Sequence, residues 1–405
     1  MNYKHMTAVL FLSWIASGAY AQTDLGNVLG KIGSAIEKRY KEQTQKEKEI
    51  AEQNRKRDFY NQDGNLELDG IYYDCSPHLK EAKVTKGIME IVRIVPDPER
   101  ASGEKTVSEY SNQHEGLNNI YIPQSVAFVR RDKKGHIIST DRCKVIAMER
   151  GAFANSFAKS ASITGNIKII PEQAFMGSRI QSLTLNAGIE KIGYNAFASC
   201  ANLSGVYFPG SVSELASYSF SDCTSLSSLS FSSESRAVIS DGVFKGCSSL
   251  KCVVLPDNIA SIGNYCFSEC TNLSDVRLPE NMSRLSEGLF LGCSSLFMLH
   301  IPPKVREIGN YLLGNSSVGK FQSHAVCIYL YSENPPNCSP ETFDGLNPEL
   351  CVVFVPENAI DTYRNTYGWS RFTQYCPLEK LSPATRKYYI AGKKPVVITV
   401  SAKRR

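Results

Sequence analysis

Apolar residues return along this chain with a nearly fixed step. Aligned on Phe153, Phe175, Phe197, Phe220, Phe244, Phe267 and Phe290, the spacings are 22, 22, 23, 24, 23 and 23, and Leu313 continues the series at 23. Two stretches show what repeats: Ile189-Glu-Lys-Ile-Gly-Tyr-Asn-Ala-Phe-Ala-Ser-Cys-Ala-Asn-Leu-Ser-Gly-Val-Tyr-Phe-Pro209 and Ile259-Ala-Ser-Ile-Gly-Asn-Tyr-Cys-Phe-Ser-Glu-Cys-Thr-Asn-Leu-Ser-Asp-Val-Arg-Leu-Pro279. The shared skeleton is I-x-x-I-G-x-x-A-F-x-x-C-x-x-L-x-x-V-x-L-P. In it Leu203, Val206 and Phe208 predict a short strand with one face turned inward, and the following Pro, which has no N–H to donate, ends it. Ile189, Ile192, Ala196 and Phe197 supply the opposite wall. One such unit cannot enclose a core, whereas stacked copies bury one continuously and align their strands in a parallel sheet.

The prediction is therefore a repeat solenoid of α/β leucine-rich type, with one short parallel strand per ~23-residue repeat, over residues 145–313. The pattern continues in weakened form at both ends. Leu117, Ile120, Ile122, Pro123 and Val126 reproduce the strand spacing upstream, and Leu350, Val352, Phe354, Val355 and Pro356 reproduce it downstream, so 314–378 reads as diverged terminal repeats and a cap. Caps are expected because an open solenoid end exposes its core. Residues 58–144 read as a small N-terminal β-rich cap with strands at Leu66–Tyr73, Glu81–Thr85 and Ile88–Val95. The polar stretch from Pro98 to Gly116 reads as a loop. Before it, segment 22–57 is predicted helical. Leu25, Val28, Leu29, Ile32 and Ile36 give it one apolar stripe, and the mixed-charge run Lys41–Arg57 reads as a solvated spacer or, in the sharper alternative, a short coiled coil.

The first 21 residues carry Lys4 and His5, the apolar core Ala8–Ala16, and Ala19-Tyr20-Ala21 before Gln22, the pattern of a cleaved signal peptide. The chain is thus expected to be exported: secreted, at the cell surface or periplasmic, with no transmembrane segment after cleavage. The net charge of +5 is unevenly spread. With +1 on the first 21 residues, +3 on 22–57 and +7 on the basic tail 379–405, residues 58–378 are left at −6, which disfavours a nucleic-acid-binding body. Thirteen cysteines in an exported chain would ordinarily suggest disulfides. Five of them, Cys200, Cys223, Cys247, Cys270 and Cys293, recur in register three residues before each Leu, and fit a column of small buried thiols better. Among Cys327, Cys338, Cys351 and Cys376 a cap disulfide stays open.

No chemistry-bearing motif stands out. His78, His114, His136, His300 and His324 are scattered without metal-ligand spacing, and there is no nucleophile elbow, phosphate-binding Gly loop or dinucleotide fingerprint. No catalytic residue, metal or cofactor is assigned. The variable positions lie on the outward, concave side of the sheet. Their two columns are Ser182, Gly205, Ser228, Cys252, Asp275, Met298 and Thr184, Tyr207, Ser230, Val254, Arg277, His300. Thr184, Tyr207, Ser230, Asp275, Arg277, Met298 and His300 are the candidate partner-binding residues, several being types enriched at protein interfaces. A solvated face without a partner is the plain alternative.

The skeleton resembles the BspA-like leucine-rich repeats of secreted and surface proteins, especially of Bacteroidetes. Asp69-Gly-Ile-Tyr-Tyr73 with Glu81-Ala-Lys-Val-Thr85 resembles the opening strands of that family, Lys144–Phe153 its first repeat, and Tyr363–Trp369 with Phe372 its closing helix. The resemblance implies a non-enzymatic protein that binds an extracellular or envelope protein, or a glycan, in an adhesion-type role. A structural or assembly role through the N-terminal helix is the alternative. The charged helix and basic tail depart from the family pattern and leave surface attachment open.

Overall fold

The computed structural model describes residues 65–68, 71–76, 81–84, 88–96, 104–112, 119–131, 136–163, 166–314 and 326–380, with side chains from residue 119 onward except at 127–131, 138, 141 and 380. The expected signal peptide, the charged helix 22–57 and the tail beyond Lys380 lie outside the described residues. The described body is a parallel-strand solenoid. Each turn contributes one strand to the principal sheet face, where the strands pair in four successive groups: Asn119–Ile122, Ser160–Ile163 and Ser182–Leu185; Gly205–Phe208 and Ser228–Phe231; Cys252–Val254 and Asp275–Arg277; and Met298–Ile301, Cys327–Leu330, Val352–Val355 and Gln374–Pro377. Paired neighbours are parallel and in register, as in Val206 beside Leu229 and Leu299 beside Ile328. The return side carries turns and a second parallel sheet of two-residue strands, from Ile169–Ile170 through Lys191–Ile192, Glu214–Leu215 and Val238–Ile239 to Ser261–Ile262.

Between the two sheets runs one continuous core. Phe153, Phe175, Phe197, Phe220, Phe244, Phe267 and Phe290 are wholly buried and stack ring on ring, with centroids 5.0 to 6.0 Å apart. Each thiol of the cysteine column donates to the carbonyl of the Phe one turn back. Cys200 Sγ reaches Phe175 O at 3.1 Å, Cys247 reaches Phe220 O at 3.3 Å and Cys293 reaches Phe267 O at 3.0 Å. Ser178 holds the same column one turn earlier and meets Cys200 Sγ at 3.3 Å. The column is thus a set of backbone caps, since a buried carbonyl left without a donor is costly.

The backbone bends sharply on both sides of every Phe. Two residues before it φ is positive at Gly151, Gln173, Asn195, Tyr218, Gly242, Tyr265 and Gly288, and at Tyr311 before Leu313. Two residues after it φ is positive at Asn155, Gly177, Ser199, Asp222, Gly246, Glu269 and Gly292. From Phe220 onward the two positions alternate together: Tyr218 and Asp222 in one turn, Gly242 and Gly246 in the next, then Tyr265 and Glu269, then Gly288 and Gly292. A Cβ on Gly242 or Gly288 would collide with the ring of Tyr218 or Tyr265, and one on Gly246 or Gly292 with the carboxylate of Asp222 or Glu269. Each large side chain therefore lies over the glycine of the following turn.

At the N-terminal end the strands Asn65–Leu68, Ile71–Ser76, Glu81–Val84, Ile137–Met148 and Ser125–Arg131 form one mixed sheet in that spatial order. The run expected as a single strand, Leu66–Tyr73, is two strands paired antiparallel, Leu68 facing Ile71. The stretch expected as a loop after Pro98 contains the strand Glu104–Asn112, antiparallel to Ile88–Pro96. Its Thr106, Val107 and Tyr110 are strand formers that the surrounding polar residues mask in a pattern-based reading. At the other end the short helix Ile360–Asn365 precedes Trp369, which is wholly buried and donates from Nε1 to Pro336 O at 2.8 Å. Tyr363, Phe343 and Phe372 pack around it and close the core.

Candidate interaction face

Register places the outward residues of the principal sheet in two columns, which join the expected positions to neighbours the repeat pattern did not reach. One contains Tyr121, Ser162, Thr184, Tyr207, Ser230, Val254, Arg277, His300, Tyr329, Phe354 and Cys376. The other contains Ser182, Gly205, Ser228, Cys252, Asp275, Met298, Cys327, Val352 and Gln374. All seven expected residues thus lie on the outward side of strands from successive turns, in four adjoining strand groups, but they do not share one environment.

Thr184 is only 3% exposed, and its neighbour Ser162 only 6%, so the outward direction of this strand does not bring Thr184 to solvent. Tyr207 and Ser230 are half-buried and directly opposite each other. Asp275 and Arg277 are half-buried in the next section. Arg277 Nη2 pairs with Asp257 Oδ2 at 3.4 Å, and Asp257 Oδ1 also accepts from the Glu280 backbone N–H at 3.2 Å. Both partners of that ion pair are substantially exposed, which limits its worth to well under about 1 kcal/mol. Burial, then the nearby Asp257, holds the Glu280 carboxyl above its usual range, against the pull of Arg277.

Met298 and His300 belong to a second cluster. The His300 ring stacks on Tyr329 with centroids 4.3 Å apart, Tyr329 stacks on Phe354 at 4.6 Å, and His300 Nδ1 lies 2.8 Å from Tyr331 Oη. Tyr329 is 2% exposed, Phe354 8% and Leu378 7%, with Met298, Cys327, Tyr331, Val352 and Cys376 packed against them. Burial pushes the His300 imidazole down to about 3, so it is neutral at ordinary pH. His300 is thus a packing residue of an aromatic ladder more than a contact residue. The signal for the ladder was present in Cys327-Ile-Tyr-Leu330 and Val352-Val-Phe-Val355, whose aromatic residues fall on the outward beat of an otherwise apolar strand.

Among the described residues no group of three His, Cys, Asp or Glu side chains is placed to hold a metal ion. Cys327, Cys338, Cys351 and Cys376, for which a cap disulfide was open, are unlinked thiols. No described helix is long and apolar enough to cross a membrane.

The family described as the BspA type leucine rich repeat region matches residues 146–238 and 233–339, in six copies. No curated protein matches the sequence. Among solved structures, a leucine-rich repeat protein from Bacteroides ovatus is 19% identical, with 78% of this chain and 76% of that chain covered and a TM-score of 0.44. The T. pallidum leucine-rich repeat protein is 20% identical over 65% of this chain and 84% of its own, with a TM-score of 0.33. The pneumococcal vaccine antigen PcpA is 14% identical over 76% of this chain and 96% of its own, with a TM-score of 0.32. The repeat match, together with the stacked Phe and Cys columns that produce it, makes this chain a member of the BspA-type leucine-rich repeat family.

Proposed function

We propose that the protein is an exported, non-catalytic binding scaffold, and that the middle of the outward face of its principal sheet receives an extracellular or envelope macromolecule. The observation that carries this reading is the contrast between columns. Inward positions repeat Phe, Leu and Cys turn after turn, while Tyr207, Ser230, Asp275, Arg277 and Met298 differ at every step and remain part-exposed. A core fixes the residue types of the first set, whereas the second set is not held to one type from turn to turn. Tyr and Arg at the centre of such a surface are the residue types that carry most binding energy. Export is supported by residues 1–21, and the adhesion-type role by the family resemblance of the repeats.

The test is a binding screen of the mature chain against extracellular-matrix proteins and glycans, followed by Tyr207→Ala and Arg277→Glu in the chain that binds. We expect each substitution to weaken binding at least tenfold with the unfolding midpoint nearly unchanged. Unchanged affinity in both would remove this face from consideration.

A further inference from the structure

On the return side, tyrosines recur at the left-handed position two residues before the buried ring. Tyr218, Tyr265 and Tyr311 hold it in every second turn, with Gly242 and Gly288 in the turns between. Earlier turns fill the same position with Gln173 and Asn195, and a bulky residue seldom adopts a positive φ. These rings are not taken into the core. Tyr311 is 38% exposed, Tyr218 and Tyr265 are half-buried, and Tyr194, edge-on to Tyr218 at 6.1 Å, is 43% exposed. Tyr265 Oη donates to Glu287; that bond, then burial and the nearby Glu287, Tyr311 and Tyr218, raise its phenol to about 12. Tyr265 is therefore neutral at ordinary pH, and the three side chains lie within electrostatic reach of one another.

The backbone sets the step of this strip. Tyr218 N–H donates to Asp241 O at 2.9 Å, Gly242 N–H to Asn264 O at 2.8 Å and Tyr265 N–H to Glu287 O at 2.7 Å, so each turn is bonded to the next as neighbouring strands are. Two turns then rise about 10 Å. Carboxylates keep the same step. Asp222 comes four residues after Tyr218 and Glu269 four after Tyr265, each lying over a glycine of the following turn, Gly246 or Gly292. Lys245, exposed, stands in the turn between them. An aromatic ring with a carboxylate at every ~10 Å fits one backbone geometry. A polyproline II chain turns once in three residues, about 9 Å, and offers one face at i, i+3 and i+6. A β-strand offers one face every second residue, about 7 Å, and falls out of step. Proline-rich segments dock on aromatic surfaces, and basic residues complement both the carboxylates and a body, residues 58–378, that carries −6.

We propose that this strip is a second binding surface, separate from the outward face of the principal sheet, for a basic, proline-rich polypeptide segment in the polyproline II conformation. One residue triplet of the ligand spans two turns, with proline against Tyr218, Tyr265 and Tyr311 and Lys or Arg toward Asp222 and Glu269. The four turns from Tyr218 to Tyr311 rise about 20 Å, which about seven such residues cover. The proposal does not rest on any partner of the outward face.

The probes are three labelled synthetic peptides, titrated into the mature chain and followed by fluorescence anisotropy. One has five Pro-Pro-Lys triplets, one five Gly-Gly-Lys triplets of equal charge on a flexible backbone, and one five Pro-Pro-Glu triplets of opposite charge. The first is expected to bind saturably and about tenfold or more tighter than either of the others. Tyr218→Asn with Tyr265→Asn should weaken it about tenfold or more, whereas Tyr207→Ala on the outward face should leave it unchanged. Asn tolerates a positive φ, as Asn195 does, so the exchange preserves the backbone. If the double variant unfolds, hydroxyl-radical footprinting of the unaltered chain decides: the peptide should protect Tyr218, Tyr265 and Tyr311 and leave Tyr367, 71% exposed, as reactive as before. Equal binding of the Gly-Gly-Lys peptide, unchanged affinity in the folded double variant, or footprints that the peptide does not alter overturns the proposal. So does protection of the strip by a chitin oligosaccharide and not by the peptide, which would make it a sugar platform.

Discussion

A thiol in the cysteine column does its work as a neutral donor, and that sets how the protein responds to base. Burial pushes Cys270 up to about 12 from an ordinary 9.0, and pushes Cys247 and Cys293 upward for the same reason. The unfolded chain ionises these groups first. Their contribution to stability is therefore whole below pH 9 and is lost progressively as pH rises from 9 toward 12. Urea midpoints measured from pH 8 to 11 should fall, and the fall should shrink in Cys270→Ser, because a hydroxyl can keep the bond to Phe244 O without ionising, and Ser178 already occupies this column one turn before Cys200. His300 works the other way. Its folded value near 3 lies below the ordinary 6.5, so the stability it lends is present above pH 6.5 and drains away as pH falls toward 3. His300→Phe should keep the stack on Tyr329 and flatten the acid limb; an unchanged limb would show that other groups set it.

At the scale of the element, one turn is held by its Phe and by the two left-handed residues around it. Phe244 is stacked between Phe220 and Phe267 and edge-on to Phe208, so Phe244→Ala should cost about 3–5 kcal/mol by urea unfolding. Gly288→Ala faces both a positive φ and the ring of Tyr265, whereas Gly151→Ala faces positive φ and an open space whose nearest atom is Ala154 Cβ at 4.0 Å. The first should destabilise clearly more than the second, which should lose only about 1–2 kcal/mol of backbone strain. Equal losses would mean that the Tyr265 ring moves aside freely. This level was well legible in the sequence, because the Phe, Leu and Cys columns are buried in the same way in every turn and burial is what fixes a residue type. Outward positions lack that constraint. Register told which residues point out but not that Thr184 is shielded or that Tyr329 and Phe354 continue the column of His300, since those depend on what lies beside each strand.

For the molecule as a whole, stability is a chain of neighbour contacts, closed at one end by Trp369 and its aromatic surround and at the other by the mixed sheet of Ile137–Met148. Trp369→Ala should uncap the array. We expect unfolding monitored by circular dichroism to lose its single transition and the protein to associate at high concentration, while a substitution at exposed Tyr367 does neither. The ion pairs that bridge consecutive turns, such as Lys168 with Glu190 at 2.8 Å and Lys191 with Glu214 at 2.6 Å, are exposed and contribute little to this closure.

The alternation of large residues and glycines around successive Phe rings bears on how such a chain can lengthen or shorten over generations. In its C-terminal half the smallest exchangeable cassette is not one turn but two. Excising 244–289, which is 46 residues, joins Val243 to Phe290 and returns Gly242 and Gly292 to places behind Tyr218 and Asp222. Excising 244–266, half that length, leaves the Glu269 carboxylate where Gly246 had made room for Asp222. Duplications or losses by unequal recombination should therefore be tolerated in pairs and resisted singly, and the shorter deletion should melt at the lower temperature although it removes less protein.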